Sequence, residues 1–274
     1  RRMVLSKYEQ LADYLKFVRD NKLEIDVLYQ DLLIPVTSFF RDQEVFNSLC
    51  ETVFPQIIKE KPADEAIRIW IAGCSTGEEV YSVAMCFKEF FADTLPENSE
   101  KKIQLFATDL SGPAIDKARN GIYTSAELSA VSTERLNAFF TRTNGGYRVN
   151  KQIRDMCVFA VHNFLKDPPF GKLDVISCRN VLIYMEPYLQ KKALTTFHYA
   201  LNPKGILLLG KSETVSSVPG LFIASDKSHK IFTRKDVPGK FIPIASSRSE
   251  SNMNNINSNQ KVDGNTLFGI ASNS

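Results

Sequence analysis

A chain of 274 residues that is 43% hydrophobic can bury a full core, as one large domain or as one domain with an appendage. Its formal charge of +3 is too small to mark a nucleic-acid binder, and its five cysteines (Cys50, Cys74, Cys86, Cys157, Cys178) are odd in number and lack C-x-x-C spacing. They read as reduced thiols of a cytoplasmic protein, not as a disulfide frame or zinc site; His162, His198 and His229 add no metal-ligand pattern, and the apolar runs are strand-sized.

Leu11, Tyr14, Leu15 and Val18 repeat at helical spacing, and Leu23, Val27, Leu28 and Leu32 predict a second short helix that Pro35 ends. Residues 43–58 read as a helix broken near Pro55. From Ile67 the pattern becomes strand 67–72, helix 78–92, strand 103–108 and helix 113–120, the last with Pro113 near its start. Residues 125–142 read as helical. Asn144-Gly145-Gly146 then makes a tight turn into the alternating Tyr147-Arg148-Val149, which opens a small antiparallel insertion. Strands 158–161 and 173–178 follow, then helix 187–200 and strand 205–209, with 231–234 closing the sheet as an edge strand. Beyond about residue 245 the sequence turns to Ser and Asn without periodicity, as expected of a linker or tail.

In Ile69-Trp70-Ile71-Ala72-Gly73-Cys74-Ser75-Thr76-Gly77-Glu78-Glu79 a strand enters a small-residue turn, and the turn opens a helix. Gly73 and Gly77 let the backbone bend sharply and approach a ligand. The next strand ends in Asp109, so strand, glycine turn, helix, strand and terminal acid form a unit suited to an adenosine ligand, with the acid on the ribose hydroxyls. Glu78 and Glu79 at the helix start would repel a pyrophosphate and so argue against a dinucleotide. They suit a ligand with a cationic end, such as S-adenosylmethionine. The bland alternative is a tight turn followed by ordinary N-terminal acids.

Other strand ends carry candidates as well. Asn163 could pair with an adenine edge and Phe164 could contact its ring face, although Asn163 equally reads as a turn-former before Asp167-Pro168-Pro169-Phe170. Arg179 and Asn180 end an apolar strand, which directs them to a crevice or a buried network unless they are a surface Arg and a capping Asn. Tyr184 follows, either facing the crevice or half-buried in the core. Ahead of the sheet, Thr37-Ser38-Phe39-Phe40-Arg41-Asp42 reads as core packing beside a charge; folded over the crevice, its Arg41 becomes a bidentate carboxylate clamp.

Together these segments resemble the CheR family of S-adenosylmethionine-dependent methyltransferases, which methylate chemoreceptor glutamates. The resemblance spans about Leu11 to Arg234 and rests on Thr37–Asp42, Ala72–Ser82, Ala107–Leu110, Ala118–Tyr123, Cys178–Tyr184 and Gly210–Glu213. Asp31-Leu32-Leu33-Ile34-Pro35-Val36-Thr37 and the 162–170 segment look most like the methyltransferase domain of CheB–CheR fusions. That likeness, with a first residue that is not Met, implies a piece of a protein joined to methylesterase and sensory domains.

The resemblance implies an α/β, Rossmann-like methyltransferase sheet over 35–236 with a small β insertion near 143–157, a partial helical region at 1–34, and a flexible tail at 237–274. It places Thr37, Arg41, Gly73, Gly77, Glu79, Asp109, Asn163, Phe164, Arg179 and Asn180 around S-adenosylmethionine, whose product is S-adenosylhomocysteine, with no metal. Arg41 and Tyr184 match positions near the transferred methyl group. Where several relatives carry Asn, this chain has Pro35, and any side-chain contact from that position is lost. The implied partner is the cytoplasmic part of a chemoreceptor, met without membrane insertion, nucleic acid or a tethering peptide. The competing readings are a methyltransferase for RNA or a small molecule, which lacks an aromatic and basic platform here, and a cofactor-sensing module without turnover.

Overall fold

The computed structural model describes residues 2–32, 37–62, 64–94 and 101–239. The expected tail beyond 245, Pro35 and most of the 31–36 stretch lie outside these described residues.

The chain begins with three helices, α1 (Arg2–Leu5), α2 (Leu11–Asp20) and α3 (Lys22–Leu32). Glu24 ties them together: the Arg2 guanidinium donates to it through Nε at 3.0 Å and the Tyr14 hydroxyl at 2.7 Å. After Phe39 and Phe40 come α4 (Gln43–Ser48), a π turn at Leu49–Val53 and α5 (Phe54–Glu60). The break expected near Pro55 is this wide turn, which delivers Pro55 to the first turn of α5, where a missing N–H goes unnoticed.

The sheet begins with β1 (Ile67–Ala72), α6 (Glu78–Thr94), β2 (Ile103–Asp109) and α7 (Gly112–Asn120). Next come β3 (Ile122–Tyr123), α8 (Thr133–Phe139), β4 (Phe140–Thr143), β5 (Gly146–Val149) and α9 (Lys151–Arg154). The chain continues with β6 (Cys157–Val161), β7 (Leu173–Cys178), α10 (Pro187–Ala200), β8 (Leu201–Leu209), β9 (Phe222–Asp226) and β10 (Ile231–Arg234).

Seven strands form one sheet in the order β6-β2-β1-β7-β8-β10-β9, parallel through β8 and antiparallel where β10 meets β8 and β9. Strand order reverses between β1 and β7, and in open α/β sheets ligands bind in the crevice at the carboxyl ends of such strands. Side chains alternate across β1. Ile67, Ile69 and Ile71 face one core with Val80, Ala84 and Phe87 of α6. Trp70 and Ala72 face the other, with Leu194 and Phe197 of α10.

Three expectations need correction. Residues 125–142 are not one helix: Ser132 caps α8 by accepting from the Arg135 N–H, and Phe140 already pairs with Val149 in the small sheet β3-β5-β4. The helical spacing of that stretch could not reveal a hairpin partner lying further along the chain. Second, β10 is not the edge. The unpredicted β9, which among the described residues pairs only with β10, takes that place. Third, β8 starts at Leu201 rather than 205, with Lys204 in the left-handed region at φ 61°.

Candidate active site

The turn after β1 is built from backbone. Gly73 and Cys74 N–H groups both donate to the Thr108 carbonyl (2.8 and 2.9 Å), and Gly77 N–H donates to the Cys74 carbonyl (3.0 Å). With its amides turned inward and Glu78 and Glu79 in the first turn of α6, the turn is a poor pyrophosphate cradle. Both glycines have positive φ, 79° and 94°. A Cβ at Gly73 would meet Val181 Cγ2 at 2.4 Å, and one at Gly77 would meet Ala118 Cβ at 2.8 Å. The turn is therefore pressed against the loop after β7 on one side and α7 on the other.

At the end of β2, Asp109 accepts from the Ser75 N–H (2.8 Å) and the Ser111 N–H (2.9 Å), one on each oxygen. These bonds fix the carboxylate and leave each oxygen a lone pair for a further donor. Ser75 itself sits at φ 49°, a left-handed conformation that this bond helps to hold.

Glu79 and Arg179 meet at the switch between β1 and β7. Arg179, 7% exposed, donates to Glu79 (3.2 Å), to the Asp42 carboxylate (2.8 Å) and to the Arg41 carbonyl (2.9 Å). Glu79 also accepts from the Ser177 hydroxyl, and Lys211 reaches the other oxygen of Asp42 at 3.0 Å. Burial alone would raise the Asp42 carboxyl, but the Lys211 and Arg179 cations beside it hold it below its ordinary value. The surface-Arg alternative for Arg179 is excluded, because it is the buried joint between the sheet and the 37–42 arm.

The arm is anchored twice more. Phe40 N–H donates to the Ser82 hydroxyl at 3.0 Å, and the Phe39 ring stands edge-on to Tyr123, centroids 4.9 Å apart. Arg135, held by Glu89 through two 2.8 Å bonds, lies 4.0 Å over the Phe40 ring. Phe39 and Phe40 are thus core, while Thr37 and Arg41 are half-buried. A cleft of about 310 Å³ opens between arm and turn, lined by Thr37, Ser38, Thr76, Glu78, Lys117 and Glu127. Glu78 is 4% exposed, and burial pushes its carboxyl above the ordinary value. A slightly larger groove of about 360 Å³ beside α10 shares no residue with this region.

Of the remaining candidates, Asn163 accepts the Leu165 N–H on its side-chain oxygen (3.0 Å), the turn-forming role weighed in the sequence, and stays half-buried at the crevice. Phe164 departs from expectation. Its ring is 6% exposed and packs 5.5 Å from Phe197 in the α10-side core, so it offers no open face. Asn180 adopts φ 60°, and Tyr184 is 76% exposed at the end of a short 3₁₀ turn, so the half-buried alternative fails. Sequence reasoning gave no role to Asp42, Ser177 or Glu213. The available signal was a polar residue inside a buried strand for Ser177, one just past a strand end for Glu213, and one ahead of a helix for Asp42. Among the described residues no cluster of His, Cys, Asp or Glu is arranged to hold a metal ion, and no helix is long and apolar enough to cross a membrane.

A parallel sheet that reverses between β1 and β7, a glycine turn followed by acids, and a carboxylate at the end of β2 define a Rossmann-like methyltransferase domain. More particularly, the chain belongs to the CheR family, whose "CheR methyltransferase, SAM binding domain" matches residues 35–231.

Its relatives include chemotaxis protein methyltransferase 2 of Vibrio cholerae, 31% identical over 81% of this chain and 77% of that protein. Chemotaxis protein methyltransferase 1 of Pseudomonas aeruginosa is 36% identical over 67% of each. An uncharacterized 104.1 kDa protein of Rhodobacter capsulatus is 38% identical over 85% of this chain, and the match spans only 24% of that protein's length. Among solved structures, PKMT2 from Rickettsia typhi in complex with AdoHcy overlaps with a TM-score of 0.36 at 18% identity, over 60% of this chain and 24% of that one.

Proposed function

We propose that this domain transfers a methyl group from S-adenosylmethionine to a glutamate side-chain carboxylate of a chemoreceptor in the cytoplasm, releasing S-adenosylhomocysteine. The observation that carries the reading is the convergence of Asp109 and the Glu79–Arg179–Asp42 network on the strand ends of a CheR-family chain.

In this reading Asp109 holds the ribose hydroxyls, and the Asn163–Phe164 segment flanks the adenine, Asn163 by its amide and Phe164 only as a buried backing. Gly73 and Gly77 allow close approach of the backbone. Glu79 receives the ammonium of the methionine end, while Thr37, Arg179 and Asn180 close around it. The acceptor glutamate, with an ordinary pKa near 4.3, arrives ionised, so no general base is needed. A carboxylate oxygen attacks the methyl carbon as the carbon–sulfur bond breaks, and its electron pair neutralises the sulfonium. Arg41 orients the acceptor carboxylate, and Tyr184 shares its hydrogen bonding so that the nucleophile is not quenched. Alignment and exclusion of water supply most of the acceleration, in favourable cases about 7–11 kcal/mol.

The receptor would be met by exposed Lys7 in the turn after α1 and by exposed Lys16, Arg19 and Lys22 of α2 and α3, facing an acidic helical surface. Incubation with methyl-labelled cofactor and receptor cytoplasmic fragments should label glutamate as a base-labile ester. Labelling of RNA or small molecules instead, or cofactor binding without transfer, would replace this reading.

A further inference from the structure

The turn after β8, Gly210-Lys211-Ser212-Glu213, contributes a buried acid with no role in the chemistry above. Glu213 is 4% exposed, and its carboxylate accepts from four backbone N–H groups: Val181 (2.9 Å) and Leu182 (2.7 Å) on Oε1, Asn180 (3.0 Å) and Gly210 (2.6 Å) on Oε2. Three of these donors are consecutive, and three successive amides converge on one anion only when the backbone curls into a nest. The left-handed φ of 60° at Asn180 supplies that curl. The approach is close: a Cβ at Gly210 would lie 2.8 Å from the Asn180 N, from its Nδ2 and from Glu213 Oε2. The nested loop begins directly after Arg179 and runs into the 3₁₀ turn that ends at Tyr184. One carboxylate therefore fixes the path between the residue that joins Glu79 to the arm and the residue proposed to stand beside the acceptor.

We infer that Glu213 is a positioning residue for the crevice: by accepting the 180–182 amides it holds Asn180 in its left-handed conformation and sets the placement of Arg179 and Tyr184. The assignment of Glu213 to the loop is independent of the reaction; its consequence for turnover rests on the methyl-transfer reading. Glu213→Gln keeps the shape but turns an NH₂ toward two N–H donors, so it disrupts the nest without opening a cavity.

The expected result is S-adenosylhomocysteine binding weakened at least about tenfold, since bonds to a charged acceptor are lost. The Asn180, Val181 and Leu182 amide resonances should shift, and kcat should fall while the KM for receptor changes little. A merely structural acid would lower the melting temperature and leave affinity and kcat of the folded enzyme untouched, and that outcome overturns the proposal. Should the variant not fold, hydrogen exchange on the unmodified protein decides: the 180–182 amides should exchange as slowly as those of β7, and exchange at open-loop rates refutes the nest. Failure of the unmodified protein to bind S-adenosylhomocysteine would instead refute the methyl-transfer reading, with the exchange data still judging Glu213.

Discussion

At the scale of single residues, Asp109 and Arg41 carry the two halves of the proposed chemistry, cofactor and acceptor. Asp109 is fixed by two backbone amides, so removing it costs both the preformed turn and the ribose contact. Asp109→Ala should weaken S-adenosylhomocysteine binding by about 1.5–3 kcal/mol in calorimetry, the worth of a hydrogen bond to a charged group; unchanged affinity would remove the ribose assignment. Arg41 carries the acceptor side of the proposal. If its partner is the acceptor carboxylate, Arg41→Ala should depress methyl transfer far more than cofactor binding, and Arg41→Lys should rescue poorly because an ammonium cannot reproduce the planar fork. Normal turnover at saturating receptor would end that role. Glu78 gives a stability test. Burial raises its carboxyl above the reference 4.5, so its ionisation opposes folding: this contribution is most favourable in acid and is lost as pH rises through the folded-state value. Glu78→Gln should therefore melt higher than the parent at neutral pH, by about 2–4 °C if the penalty is about 1 kcal/mol. The two melting curves should converge in acid.

Between elements, the interlock of the β1 turn with the loop after β7 is the tightest contact of the site. Gly73→Ala has to move Val181, because its Cβ would otherwise sit 2.4 Å from a Val181 methyl, and must hold φ 79° as well. Overpacking of this kind costs about 1–3 kcal/mol, and left-handed backbone adds about 1–2 kcal/mol. Gly73→Ala should lose stability in urea and also bind cofactor weakly, since Val181 lies in the Glu213-held loop; a stable variant with full affinity would show the interlock to be slack. This glycine was legible in the sequence, as were Asp109, Glu79 and strands β1, β2 and β7, because their signals are local: a β-branched run, a small-residue turn, an acid at a strand end. The buried place of Phe164 was not legible, because a Phe after Asn163 looks the same whether its ring meets a ligand or Phe197. Nor was β9, whose Ile223 is 57% exposed and which gains strand character only from pairing with β10. The Arg179–Asp42 joint spans more than a hundred residues, and no spacing rule reports such a pair.

For the molecule as a whole, the proposed function calls for a surface that meets a receptor, and two are available. The small sheet could accept a peptide strand along β4, which among the described residues pairs only with β5 and leaves its other edge open. That edge is four residues long and ends at the two-residue Asn144-Gly145 connection, so alternation leaves only about two residues with backbone groups facing outward. Exposed Arg142 would attract an acidic peptide, yet an exposed charge steers encounter more than it holds a complex. The N-terminal helices offer the alternative. With the turn after α1 they carry exposed Lys7, Lys16, Arg19 and Lys22 together with exposed Val4, Leu11, Leu15 and Leu23, a mixture of charge and apolar area that suits the side of a helical bundle. Recognition is therefore expected through the methylated region itself. Titration with tethering-type peptides should give no measurable binding, whereas Lys16→Glu with Arg19→Glu should raise the KM for receptor fragments and leave S-adenosylhomocysteine affinity unchanged. Micromolar affinity for the peptide, or an unaltered receptor KM in the charge-reversed protein, would move the docking site from the helices to the β4 edge.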